Sequence, residues 1–103
     1  RWNPEDMLLA SISACHKLWY LHFCAVNNII VQEYRDEAIA IMDEGSSEHA
    51  GRFISATLKP RVRISSESDA VKALALHENA HQACFIANSL NFPVKCEALI
   101  EKD

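Results

Sequence analysis

An α+β domain is the fold class this sequence predicts. Three observations carry the prediction: a long apolar segment with a helix start, a pair of strand-like segments around a polar turn, and a second capped helical segment. In chain order the elements read α-β-β-α-β, with helices packed on an antiparallel sheet.

The first helix opens at Asn3-Pro4-Glu5-Asp6. Asn3 is a suitable N-cap, Pro4 fits the first helical position, and acids occupy the first turn. The segment is predicted to run to about Asn27. It is apolar on nearly every side, with Asp6 and Lys17 marking a narrow polar edge, as expected of a central, buried helix.

Residues 29–42, rich in Ile and Val, read as one strand. Over residues 52–64, Ile54, Ala56, Leu58, Pro60, Val62 and Ile64 alternate with Ser55, Thr57, Lys59, Arg61 and Arg63. That period of two predicts a strand with one buried face, and Pro60 suggests an edge or a bulge in it. DEGSSEHAG, residues 43–51, joins the two strands as a hairpin and is expected to be loose.

Ser66-Glu67-Ser68-Asp69 fits a capping box and opens a second helix to about Ser89. Its apolar stripe is Ala73, Leu76, Ala80, Ala83, Ala87 and Leu90. Asn91-Phe92-Pro93 ends it, and residues 94–100 are predicted to form a last short strand.

Size and charge set limits on function. The chain has 103 residues, enough for a single domain over 1–103. Fourteen acids against ten bases give a net charge of −4 without a block of one sign. That argues against nucleic acid or an acidic membrane surface as partner. No stretch is long and apolar enough to span a bilayer, and no signal peptide is visible, so a cytoplasmic location is expected. Four cysteines without a C-x-x-C pair point to thiol chemistry more than to a disulfide scaffold.

Two sets of residues carry candidate chemistry. His77-Glu78-Asn79-Ala80-His81 matches H-E-x-x-H, and His77, His81 and Cys84 fall on one helix side at i, i+4 and i+7. The set offers zinc binding through His77, His81 and a cysteine, although no third ligand of the zinc-hydrolase kind follows. The second set is the cysteines. Cys15 and Cys24 lie on opposite sides of one helix, roughly 13 Å apart along its axis. A disulfide needs Cα atoms within about 7 Å, so they cannot pair within a chain. Cys15 shares a stripe with Leu8, Ile12, Trp19, His22 and Val26, while Cys84 borders the stripe of the second helix. Cys15 with Cys84 is the pairing to test, against two inert buried thiols. Trp19, Tyr20, Phe23 and Phe85 either line an apolar pocket or belong to the core.

NPEDMLLASISACHKLWYLHFCA resembles the central-helix signature of the OsmC/Ohr family of thiol peroxidases, with Cys15 ten residues after Glu5. HQACFIANSLNFPV is similar to the family's second-cysteine segment, with Cys84 in its place. The resemblance covers almost the whole chain and implies an OsmC-like fold in which two chains intertwine as a homodimer. It implies thiol-dependent reduction of organic hydroperoxides or hydrogen peroxide without a cofactor. Cys15 would be peroxidatic, Cys84 resolving, Glu5 the active-site glutamate and an external dithiol the reductant. Glu5 lies roughly 15 Å along the helix from its own Cys15, so it would serve the partner chain's cysteine.

One departure stands out. Family members open with a β segment whose arginine pairs with the peroxidatic thiolate and the glutamate. This chain starts where that segment should end, leaving Arg1 or Arg61 to substitute. A cysteine titrates near 8.5, and burial raises that value unless a cation opposes it. A non-catalytic dimerisation or binding module is therefore the alternative reading within the family.

Overall fold

The computed structural model describes residues 3–103. Helix α1 spans Pro4–Val26, capped by the Asn3 side chain accepting from the Asp6 N–H at 2.8 Å, as the sequence predicts. Strands follow at Val31–Asp36 (β1), Ile39–Asp43 (β2), Arg52–Leu58 (β3) and Pro60–Ile64 (β4). Helix α2 covers Ala70–Ala83, a four-residue helix α3 covers Phe85–Asn88, and strands β5 (Val94–Cys96) and β6 (Leu99–Lys102) close the chain.

The α+β class holds, and antiparallel pairing spans more residues than parallel pairing, but each predicted strand is divided in two. β1 pairs with β4 and β2 with β3, both antiparallel, as one hairpin bent around Glu37, Ala38 and Lys59. The halves belong to separate three-stranded sheets, ordered β1-β4-β6 and β2-β3-β5. Pro60 sits at the break, as the first residue of the central strand of its sheet. That is a third place where a missing N–H is tolerated, alongside the edge and the bulge expected. Asp36 holds the bend by accepting from the Lys59 N–H at 2.7 Å. The last predicted strand also divides, and β5 and β6 run parallel to β3 and β4.

The alternation of residues 52–64 survives the bend. Ala56, Leu58, Pro60, Val62 and Ile64 are buried, whereas Ile54 is exposed and Ser55 buried. DEGSSEHAG is tied down: Asp43 accepts from the Gly45 N–H, and His49 contacts both Asp43 and Ser46. Gly45 has a φ of +89°, and a Cβ there would meet the Gly51 nitrogen at 2.5 Å.

Helix α2 starts later and ends earlier than predicted. Asp69 is the N-cap, accepting from the Lys72 N–H at 3.1 Å, while Ser65 and Ser68 bond each other. At Cys84 the backbone turns extended, so α2 stops at Ala83 and α3 starts afresh.

Two apolar clusters form, and α1 joins them. Tyr20 and Cys24 pack with Ile29, Val62, Ile64, Ala73, Leu76 and Ala80, while Ile12 packs with Ala56 and Leu58. The buried line of α1 is Ile12, His16, Tyr20 and Cys24. The chain is elongated, 56 × 25 × 20 Å, with a radius of gyration of 15.3 Å against about 13 Å for a rounded domain of this length. Among the described residues no helix is long and apolar enough to cross a membrane.

Candidate active site

Cys15 is half-buried on α1, and Cys84 is buried where α2 gives way to α3. The Cys15 thiol lies near enough to that of Cys84 to act on its ionisation, so two cysteines 69 residues apart in sequence approach each other across the helices. Both thiols are free, and Cys84 also accepts from the Ala87 N–H at 3.4 Å. Burial first, and the Cys15 contact second, push the Cys84 thiol up to about 11. Apolar rings flank the pair. Trp19, one turn beyond Cys15, stacks on Phe23 at 5.8 Å and meets Phe85 edge-on at 5.9 Å. Phe85, next to Cys84, is 71% exposed. Tyr20 turns the other way and is core.

Glu5 stays apart. It is exposed on the first turn of α1, beside a depression of about 560 Å³ shared with Arg52 and Phe53. The structure does not bring it to Cys15 of the same chain. Arg1 lies outside the described residues, and Arg61 is exposed on β4 opposite Arg35 of β1.

The zinc set expected from H-E-x-x-H does not assemble. His77 is 4% exposed and turns its Nδ1 to Nε2 of His16 at 3.0 Å, away from any grouping with His81 and Cys84. The Cys96 sulfur stands 3.8 Å from the same His16 nitrogen. Among the described residues, His16, His77 and Cys96 are the one group of three potential ligands close enough to share an ion. Burial lowers His16 to about 4 and His77 to about 3, so both rings are neutral. Burial, together with Asp36, Glu78 and Glu97, pushes Cys96 up to about 11. His16 and Cys96 escaped the sequence reading. The spacing Ile12-His16-Tyr20-Cys24 is the only trace of the buried line of α1, and nothing in sequence joins residue 16 to 77 and 96.

Comparison with known proteins bears on this geometry. A family model described as OsmC-like protein matches residues 1–98. The chain belongs to the OsmC-like family. Its fold matches an OsmC-like protein of unknown function from Vibrio cholerae O1 with a TM-score of 0.83 at 32% identity, over 93% of this chain. The chain spans 63% of that Vibrio protein's length. The organic hydroperoxide resistance protein OhrB of Bacillus subtilis superposes with a TM-score of 0.73 at 25% identity, covering 94% of this chain and 70% of OhrB. An OsmC-like protein from Mycoplasma pneumoniae shares the fold alone, with a TM-score of 0.83 at 10% identity, over 97% of this chain and 72% of its own. Comparison with curated proteins gave no match.

Proposed function

We propose that this chain is a thiol-dependent peroxidase that reduces organic hydroperoxides as a homodimer. The observation that carries the reading is the approach of the Cys15 and Cys84 thiols. Family membership and the hydroperoxide-resistance proteins among its structural relatives support it. In the reaction, the Cys15 thiolate attacks one peroxide oxygen, the O–O bond breaks, and the alcohol leaves with a proton. Sulfur is oxidised to the sulfenic acid as the peroxide is reduced. The Cys84 sulfur then displaces the hydroxyl as water and forms the Cys15–Cys84 disulfide. An external dithiol supplies two electrons and two protons to restore both thiols.

The exposed Phe85 and the adjoining Trp19 favour an organic substituent over hydrogen peroxide. Glu5 acts on the partner's Cys15 where two α1 helices cross. One exposed side of α1, with Met7, Ser11, Ala14, Leu18 and Ala25, is apolar or small and suits such a crossing.

The test counts thiols before and after one equivalent of cumene hydroperoxide. Loss of two thiols per chain, with mass spectrometry locating a Cys15–Cys84 bond, is the expected result. Cys15→Ser abolishes it. Retention of all thiols would instead assign the chain to the non-catalytic module.

A further inference from the structure

We propose that His16, His77 and Cys96 form a zinc site, separate from the Cys15–Cys84 pair and with no part in the peroxidase reading. Three elements converge on it: α1 brings His16, α2 brings His77, and the end of β5 brings Cys96. The ligand atoms all lie within 4.8 Å of one another, with 3.0 Å between the two ring nitrogens and 3.8 Å between sulfur and His16. Tetrahedral zinc, with Zn–N near ~2.0–2.1 Å and Zn–S near ~2.3 Å, sets such atoms roughly 3.3–3.6 Å apart. Small side-chain shifts bring these ligands to that spacing. Two imidazoles and a thiolate form a donor set that suits zinc, and magnesium or calcium poorly.

A hydrogen-bonded pair is the ordinary reason for two buried histidines, and here it satisfies one nitrogen of each ring. The single bond between the rings leaves His16 Nδ1 and His77 Nε2 buried without a partner among the described residues. These two nitrogens are not the pair that faces each other, so zinc held between the facing nitrogens would leave them as they are, and the case for a metal rests on the three converging ligand atoms.

The surrounding charge also points to a cation. Asp36, Glu78 and Glu97 act on the Cys96 sulfur, and Asp36 acts on His16. Their negative field attracts a divalent ion. On binding, Cys96 releases its proton to solvent and the sulfur–zinc bond forms. One of the two facing ring nitrogens carries the proton they share, and as the metal displaces that hydrogen bond this ring moves its proton to its other nitrogen and frees the lone pair. A depression of about 370 Å³, lined by His77, Glu78, Cys96 and Glu97 among others, provides entry and leaves the fourth position to water or a carboxylate.

Cobalt(II) is the probe, added to reduced, chelator-stripped protein carrying Cys15→Ser and Cys84→Ser. The expected result is a thiolate-to-cobalt charge-transfer band with tetrahedral visible bands, saturating at about one equivalent and bleached by zinc. X-ray absorption should give one sulfur and two imidazoles. Adding Cys96→Ser should remove the charge-transfer band, with circular dichroism reporting that the helices persist. No saturating band, a band that survives Cys96→Ser, or a count of two sulfurs overturns the proposal. X-ray absorption on unaltered protein decides the ligand count even if a variant fails to fold. Peroxide-driven thiol loss is read separately, so either reading can fail alone.

Discussion

His77 stacks on Tyr20 with ring centroids 3.8 Å apart and planes 12° apart, and the Tyr20 hydroxyl donates to the Ala73 carbonyl at 2.8 Å. One residue of α1 thus grips α2 by its ring and its backbone, in the middle of the larger apolar cluster. Burial keeps the phenol un-ionised, well above its usual range.

Tyr20→Phe keeps the stack and removes the hydrogen bond. We expect a loss of about 0.5–1.5 kcal/mol of stability, the net worth of one hydrogen bond, because the Ala73 carbonyl keeps its place in the α2 helix. Urea unfolding of reduced protein measures it. An unchanged midpoint would show that the bond contributes nothing net.

Resolution should be base-driven. With the Cys84 thiol pushed up to about 11, its thiolate is scarce at neutral pH and grows ~10-fold per pH unit until the pH nears that value. Disulfide closure should therefore quicken with rising pH. Stopped-flow fluorescence of Trp19, one turn from Cys15, follows the step. A flat profile from pH 7 to 9 would mean that Cys84 is not the attacking group.

Glu5 acting across the dimer predicts complementation. Chains carrying Glu5→Gln and chains carrying Cys15→Ser should each be impaired, the first by roughly 10²-fold, the low end for a positioned acid–base group. Mixed dimers contain one site with both groups intact and should recover turnover. If mixing restores nothing, Glu5 does not act in trans.

Leu18 is 69% exposed on the side of α1 that also shows Met7 and Ala14. Leu18→Arg would set a charge into the helix crossing and should weaken dimerisation at least ~10-fold, about 1.4 kcal/mol. Sedimentation velocity across a concentration series measures this. An undisturbed dimer would place the crossing on another face of α1.

Local chemistry made much of the fold legible. Asn3 and Pro4 set the start of α1 because capping involves only the first helical turn. The alternation from Ala56 to Ile64 marked the buried face of the hairpin because side chains on a strand point alternately to its two sides. Helical spacing also singled out Cys15 and Cys84, each beside an apolar stripe. By itself, then, the sequence determined the class, the order of helices and hairpin, and the family.

Tertiary packing decided the rest. The hairpin divides at Pro60 and Lys59 because Asp36 and two separate apolar clusters draw its halves into different sheets. β5 and β6 lie parallel to β3 and β4 because the chain returns over the helices before pairing, which no local pattern records. His77 turned from His81 to His16 because only the packing of α1 on α2 brings residues 16 and 77 together, and Cys96 joins them from the far end of the chain. Periodicity tells which side of an element is buried. Which other element it meets depends on contacts between residues far apart in sequence, and those form only in the folded chain.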